Sequence, residues 1–285
     1  MIQGAVAGLI AGGAYALLGV CVVLLFRMAG VLNLAQAAIG TFGAFVMLAC
    51  YGLDLPIPLA ALIGLLAGGL LGAALGAIMS RWFAESPLQT RSSVTIAMLL
   101  GVLTLGWRTF GSRPRPSPAF FGGITLNVAG VIVPLNAIVI IVLAIGLGIG
   151  LAIFLTHTRI GLQLRALSER PTAADLLGVP SQHLTIGVWA VTGIIASFAI
   201  MMIAQMRAAE FSSLSLLVMP ALAAALVGVF RSFSITIIGG LGIGLLEGMT
   251  SQVVALAPYK LLLWLLIIVA ALLWTQRKEV WDAGR

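Results

Sequence analysis

The amino-acid sequence predicts an all-α membrane protein, a polytopic transmembrane helical bundle of about eight or nine membrane segments in one domain over residues 1–285. Two observations support this prediction. Hydrophobic residues make up 61% of the chain and charged residues only 8%, so a water-soluble fold would expose large apolar patches. The apolar residues also form charge-free runs of about 20 residues, the length that a helix needs to cross a bilayer.

Six of these runs are clear membrane segments, at residues 2–26, 31–50, 58–80, 94–107, 137–156 and 184–206. Three further runs follow at residues 214–230, 235–256 and 261–275, with short breaks at Arg231 and Lys260. In one arrangement, all nine cross. In the alternative with eight passes, the backbone near Pro220 is re-entrant, which is tolerated where such backbone is buried in protein.

The basic residues predict the orientation. The first run has no basic residues before it, unlike a cleavable signal peptide, so we expect the segment to be retained with the N-terminus outside and the C-terminus in the cytoplasm. Nine crossings then place ten basic residues inside, namely Arg27, Arg81, Arg91, Arg159, Arg165, Arg170, Arg231, Arg277, Lys278 and Arg285. Five remain outside, namely Arg108, Arg113, Arg115, Arg207 and Lys260. This excess agrees with the positive-inside rule.

The sequence contains no constellation typical of an enzyme. It has no GxxxxGK[ST] motif, so the chain is not itself a P-loop ATPase. His157 and His183 lack a ligand partner at metal-binding spacing, and Cys21 and Cys50 lie inside apolar runs. The net charge of +7 is scattered singly, which does not favour nucleic-acid binding. We expect no metal or cofactor on this chain and no nucleic-acid partner.

Glycines at four-residue spacing mark three of the runs. They are Gly4, Gly8 and Gly12; Gly68, Gly72 and Gly76; and Gly240, Gly244 and Gly248. Small residues at this spacing let two helix backbones approach closely in lipid, where no hydrophobic force drives helices together. The sequence therefore predicts a tightly packed bundle.

Three polar residues lie within or at the edge of apolar runs. Glu247 lies well inside the run 235–256, and an ionisable group at that depth is costly unless it faces the bundle interior. It either ties helices together, through Thr250 or Ser251, or lines a pathway, or carries a coupling proton. Asn33 and Gln36 form a polar pair one turn apart, which either caps the start of a helix or lines a path for a polar solute.

Two loops are long enough to have structure of their own. The outside loop at residues 108–134 alternates in its second half, which predicts a small hairpin turning near residues 127–130 and serving as a connector or a docking surface. The polar stretch at residues 157–183 is cytoplasmic by the orientation above. There, Pro171 suits the first position of a short helix and Gly178 the position after its end. A helix of about two turns is marginal alone, so we expect a partner to order it.

Four segments carry a family resemblance. GLIAGGAYALLGV (residues 8–20), AGVLNLAQAAIG (29–40), RIGLQLRALSERPTAADLLGV (159–179) and GGLGIGLLEG (239–248) resemble the permease subunits of branched-chain amino-acid ABC importers, the high-affinity leucine, isoleucine and valine type. The resemblance covers nearly the whole chain in order. It implies a bacterial inner-membrane subunit that pairs with a second homologous permease, two ABC ATPase subunits and an extracytoplasmic solute-binding protein, with ATP and Mg²⁺ bound on the ATPase subunits.

The resemblance also implies roles for residues of the polar stretch. Its AAxxxG element corresponds to the coupling helix that inserts into a cleft on the ATPase, and the candidate coupling residues are Arg165, Ala173, Ala174, Asp175, Leu177 and Gly178. The candidate pathway residues are Asn33, Gln36 and Glu247.

Two positions depart from the family pattern. Arg170 stands where the family usually has Asn or Asp, which removes a helix cap of roughly 1 kcal/mol, and Ser168 would replace it by starting the helix earlier. Ala37 stands where the family often has glycine.

The sequence thus predicts a permease subunit of an ATP-driven importer for branched-chain or other hydrophobic amino acids. A permease of the same family for urea, amides or organic acids is an alternative. Two alternative hypotheses belong to other functional classes: an ion-coupled secondary transporter that uses Glu247, and a membrane scaffold without a solute pathway.

Overall fold

The computed structural model describes residues 2–121, 124–128, 131–169, 171–205, 210–252 and 260–283. In chain order the elements are α1 (Ile2–Ala29), α2 (Gln36–Tyr51), α3 (Ile57–Trp82), α4 (Leu88–Phe110), β1 (Thr125–Val128), β2 (Val131–Pro134), α5 (Leu135–His157), α6 (Arg159–Glu169), α7 (Pro171–Leu176), α8 (Ser181–Ala204), α9 (Phe211–Ser215), α10 (Val218–Val227), α11 (Phe233–Thr250) and α12 (Lys260–Ala283). Within the described ranges, 6 helices are long and apolar enough to cross a membrane: α1, α3, α4, α5, α8 and α11. Shorter apolar helices cover α2, α9 with α10, and the middle of α12.

The predicted runs fall on these apolar helices, but several boundaries differ. The helix α4 begins at Leu88 rather than at residue 94, because the guanidinium group of Arg91 donates hydrogen bonds to the backbone carbonyls of Ala29 and Ala84. At the C-terminus, α12 continues past residue 275 to Ala283, since the polar residues that follow the apolar run include good helix formers. Arg277 and Lys278 therefore lie in a helix and not in a loop.

Other predicted boundaries fall partly on residues whose structure is not described. The helix α11 ends at Thr250, and residues 253–256 of the predicted run lie outside the described residues. The same holds for five residues used in the sequence predictions, namely Gly130, Arg170, Met206, Arg207 and Arg285.

The helices α1 and α11 pack antiparallel through two glycine faces. A methyl group at Gly8 would overlap the backbone carbonyl of Gly244, and one at Gly248 would overlap that of Gly4. A methyl group at Gly240 would lie 2.5 Å from the backbone nitrogen of Ala16. Because these obstacles are backbone atoms, the two helices can approach this closely only where neither carries a side chain.

A second close contact joins α3 to α8. Gly72 and Gly76 of α3 face Trp189, and Gly68 faces Ser197, so these two helices also run antiparallel. The helix α2 packs beside both of them, where Gly43 lies against Ser197. The bundle therefore has two tightly packed parts, α1 with α11 and α2 with α3 and α8, which meet where α1 contacts α8.

The two ends of the bundle carry different features, and we name them accordingly. At the hairpin end, β1 pairs with β2 in antiparallel register, with Leu126 opposite Val133, which confirms the predicted hairpin. The side-chain amide of Gln3 in α1 bonds both the backbone carbonyl (3.1 Å) and the backbone N–H (3.3 Å) of Ile132. At the opposite basic end lie Arg27, Arg91 and Arg231, together with α6 and α7.

The segment α9–α10 runs from one end of the bundle to the other. At the hairpin end, the ring of Phe211 packs on Phe45 (5.1 Å between centroids) and Phe110 (6.1 Å). At the basic end, Phe230 packs on Phe26 at 5.0 Å. A re-entrant segment would return to its starting end, so this path is that of a crossing segment broken between two short helices.

Candidate functional site

The helix α6 docks along the basic end of the bundle. Thr158 precedes it, and its hydroxyl accepts a hydrogen bond from the backbone N–H of Gly161 at 3.0 Å, which is a side-chain N-cap. Gly161, Leu164 and Leu167 are the buried residues of α6, spaced one helical turn apart. Their spacing places one apolar face against α1, α5 and α8.

The helix α7 ends in a turn that requires glycine. Gly178 has φ +79°, a left-handed conformation, and the backbone N–H of Val179 donates to the carbonyl of Ala174 at 3.1 Å. This is the hydrogen bond of a Schellman motif. The structure thus places Gly178 at the position after the helix.

Two leucines project from this turn. Leu176 is 85% exposed and Leu177 is 83% exposed, whereas Ala174, on the other face of α7, is 2% exposed. Ala173 is exposed, and Asp175 lies within α7. The turn therefore presents an apolar pair to the surroundings from within the most polar stretch of the chain.

The side chains of Arg165 and Ser168 donate hydrogen bonds to backbone carbonyls of this chain. The guanidinium group of Arg165 donates to the carbonyl of Thr156 at 3.4 Å, which ties α6 to the end of α5. The prediction that Ser168 caps the helix after it is wrong, because Ser168 lies inside α6 and its hydroxyl donates to the carbonyl of Arg165 at 2.8 Å. Arg170, the residue with the weak cap, lies outside the described residues.

Asn33 and Gln36 form a buried network at the elbow between α1 and α2. The Asn33 amide nitrogen donates to the Gln36 side-chain oxygen at 2.9 Å, and the Asn33 oxygen accepts from the backbone N–H of Ala35 at 3.0 Å. The Gln36 nitrogen donates to the backbone carbonyl of Thr192 in α8 at 2.9 Å. Both side chains are at most 1% exposed. In this conformation they connect the elbow to α8.

Glu247 lies in the last turn of α11, close to the hairpin end, and not in the middle of a span. Its side chain is 4% exposed, and the hydroxyl of Tyr15 donates to its carboxylate oxygen Oε2 at 2.6 Å. The suggested tie through Thr250 or Ser251 is wrong, because both hydroxyls donate to backbone carbonyls of α11. The contact to Tyr15 joins α11 to α1 by side chains as well as by glycines.

The structure keeps the two groups of candidate pathway residues apart. Gln36 is at the level of Cys21, because both contact the carbonyl of Thr192. Glu247 is at the level of Gly8, which packs on the neighbouring Gly248. Thirteen residues of helix separate these two levels of α1, which corresponds to about 20 Å.

Two cavities accompany these groups. A cavity of about 270 Å³ at the basic end lies between α1, α3, α4, α6 and α8 and is lined by Arg91, Glu85 and Leu167 among others. A cavity of about 170 Å³ lies beside Glu247 between α1, α8 and α11, and we call it the hairpin-end cavity.

Sequence reasoning missed three of the residues that shape these sites. Tyr15 is hidden in the first apolar run, although a buried tyrosine hydroxyl normally has a hydrogen-bond partner and so marks a polar contact. Leu176 reads as an ordinary helix residue until its exposure is known. The role of Thr192 rests on its backbone carbonyl, for which the sequence carries no signal.

Comparison with known proteins gives consistent results. Residues 4–272 match the family described as branched-chain amino acid transport system permease component. The chain is 25% identical over 273 residues to the probable branched-chain amino acid transport permease protein LivH of Methanocaldococcus jannaschii, covering 90% of this chain and 85% of that protein. It is 25% identical over 270 residues to the high-affinity branched-chain amino acid transport system permease protein BraD of Pseudomonas aeruginosa, covering 88% and 87%. Among solved structures, it resembles PsaBC from Streptococcus pneumoniae in complex with Fab, with a TM-score of 0.49, 14% identity, and coverage of 93% of this chain and 89% of that one.

Proposed function

We propose, from the premise that this chain belongs to the branched-chain amino acid transport permease family, that it is the permease subunit of an ATP-driven importer. It forms with a second, homologous permease the membrane path for a branched-chain or other hydrophobic amino acid. Two ATPase subunits bind at the basic end and supply ATP and Mg²⁺. An extracytoplasmic solute-binding protein delivers the solute at the hairpin end. The basic end is cytoplasmic, and the N-terminus is outside.

The observation that carries this proposal is the exposure of Leu176 and Leu177. An apolar pair on a polar segment is unfavourable in water, and exposed apolar groups of this kind typically mark a protein interface. A helix of six residues is too short to be stable by itself. The pair therefore fits a cleft on an ATPase subunit, which would also stabilise α7.

The contacts of α6 supply a route from α7 to the bundle. Leu164 and Leu167 are buried where α6 packs on the bundle, and Leu167 lines the 270 Å³ cavity together with Arg91. Arg91 in turn bonds the carbonyl of Ala29, at the start of the elbow that holds Asn33. A movement of the ATPase subunits would thus be transmitted to the elbow through these packed side chains. It would shift the equilibrium between two conformations of the bundle that bind their partners with different affinities.

A substitution in α7 tests the proposal. Leu177→Ser removes an apolar group that this chain leaves exposed, so the permease should fold and insert normally. A fully buried leucine contributes about 1.5–3 kcal/mol, so the affinity for the ATPase subunits should fall by roughly tenfold or more. ATP hydrolysis stimulated by the binding protein should fall with it.

The matched control is Leu162→Ser. Leu162 is 61% exposed in the first turn of α6, at the end of that helix opposite to the one that leads to α7. It should leave both the assembly and the stimulated hydrolysis unchanged. Unaltered ATPase binding by Leu177→Ser, or equal losses in both variants, would remove α7 from the coupling role.

A secondary transporter is the second candidate, and the buried carboxylate of Glu247 is the observation that favours it. In that case the chain alone would take up solute in response to a proton gradient, without any ATPase. Uptake by the chain alone in vesicles, with and without an uncoupler, separates the two functions.

A further inference from the structure

The hairpin-end cavity is built from the ends of three helices. Its wall includes Ala7 and Gly8 from the second turn of α1, Ile203 from the last turn of α8, and Gly244 and Glu247 from α11. The cavity therefore lies where a solute delivered at the hairpin end would enter the bundle. Small side chains on α1 and α11 leave the space, and the carboxylate of Glu247 is the ionisable group among its described lining residues.

The cavity has room for more than ordered water. One water molecule needs about 10–15 Å³ of such space, and the hairpin-end cavity offers about 170 Å³. That is roughly ten times the minimum for one water. A small organic solute of several non-hydrogen atoms, or the polar end of a larger one, fits this volume.

Among the described groups at the cavity, two helix C-termini and one carboxylate favour a cation, whereas the positive N-terminus of α1 lies about one turn farther away. The negative ends of the α8 and α11 dipoles point toward it, because α8 ends at Ala204 and α11 at Thr250. Glu247 adds a carboxylate, held by the 2.6 Å hydrogen bond from Tyr15. The side chain of Glu247 is 4% exposed, and a carboxylate with little contact to water interacts with a positive charge more strongly than one in bulk water does.

We propose that Glu247, held in place by Tyr15, binds the ammonium group of the transported solute in the hairpin-end cavity. The inference rests on the proposed function and narrows its substrate class. Solutes with a protonated amino group and an apolar side chain fit this site, whereas carboxylic acids without an amine have no cation to bind Glu247 and would be repelled by its carboxylate. The ammonium group donates hydrogen bonds, and an ionised carboxylate accepts them.

Two variants test this site, each with a different physical effect. Glu247→Gln removes the charge and keeps the size and the hydrogen-bond acceptor for Tyr15. Ala7→Leu places a larger side chain at an exposed position of the cavity wall and leaves the carboxylate unchanged. The matched control is Ile238→Val on α11, since Ile238 is 69% exposed and does not line the cavity.

The assay uses the whole transporter in proteoliposomes, with the binding protein loaded with leucine. We expect Glu247→Gln and Ala7→Leu to lower the leucine imported per ATP hydrolysed at least about tenfold, while stimulated hydrolysis and the melting temperature stay near wild type. Direct binding of leucine to the permease complex should weaken in the same variants. Binding of 4-methylpentanoate, which lacks the amine, should be weak in wild type and unchanged by Glu247→Gln.

Three results would contradict the inference or the proposed function. Wild-type leucine import by Glu247→Gln would overturn the inference, because the carboxylate would then not touch the solute. A loss of import, hydrolysis and melting temperature together in Glu247→Gln, with normal import by Ala7→Leu, would make Glu247 a purely structural tie and also overturn it. The absence of ATP-driven import by the wild-type assembly would instead refute the proposed function itself.

Discussion

The glycine contact between α1 and α11 can be tested by adding single methyl groups to α11. In Gly244→Ala the new methyl group meets the backbone of Gly12 and the carbonyl of Gly8. Backbone atoms cannot rotate away as a side chain can, so the helices must separate. Gly242→Ala is the matched control, because nothing lies within 4 Å of a methyl group at Gly242, two residues away on the same helix.

The two substitutions should change the free energy of unfolding differently. Overpacking a close contact costs about 1–3 kcal/mol and more where the backbone must move, so Gly244→Ala should lower the free energy of unfolding by at least about that amount. Replacing glycine by alanine in an open helix position favours the helix by up to about 1 kcal/mol. Gly242→Ala should therefore leave the stability unchanged or raise it slightly.

The assay is denaturant-induced unfolding of the purified chain in detergent, followed by tryptophan fluorescence. The helical propensity gain is the same in both variants and cancels in their difference. That difference isolates the contact between the two helices. Equal stabilities of Gly244→Ala and Gly242→Ala would refute the conclusion that backbone proximity holds α1 to α11.

Three further substitutions probe other contacts. Gln36→Leu removes the hydrogen bond to the carbonyl of Thr192 and takes away the side-chain acceptor of the Asn33 amide nitrogen, so it should lower the free energy of unfolding by about 1–3 kcal/mol. A stability equal to that of the wild type would show that these two bonds do not stabilise the fold. Gln3→Ala should speed hydrogen exchange at the Ile132 amide while global stability stays constant, and unchanged exchange would contradict the observed docking of the hairpin. Gly178→Ala strains the left-handed turn by about 1–2 kcal/mol, so α7 should lose exchange protection at its C-terminal end, whereas full protection would contradict the turn geometry.

Much of the fold could be predicted from the sequence because lipid imposes simple rules. A segment that crosses the membrane must form its backbone hydrogen bonds within itself and present apolar side chains to the lipid. Charge-free runs therefore locate the helices. The hairpin was also predictable, since alternation of apolar and polar residues has a period of two in a strand. Helix ends were predicted less well. The start of α4 was placed after Arg91, but the guanidinium group of Arg91 donates hydrogen bonds to carbonyl groups of other segments and so lies inside the helix.

The side-chain partners at the candidate sites could not be predicted. Tyr15 and Glu247 are 232 positions apart in sequence, and only the antiparallel packing of α1 on α11 brings them together. The partner of Gln36 is a backbone carbonyl, which every residue carries. Local sequence gave Thr250 and Ser251 as partners for Glu247, but hydroxyls in a helix readily bond the carbonyl three or four residues before them instead.

The central claim is that this chain moves solute only as part of an ATP-driven assembly that acts on α7. The most direct measurement compares leucine uptake into proteoliposomes that contain the chain alone with uptake by the assembly of permeases, ATPases and binding protein. The account predicts no uptake by the chain alone and ATP-dependent uptake by the assembly, lost in Leu177→Ser and retained in Leu162→Ser. Uptake by the chain alone that an uncoupler abolishes would contradict it.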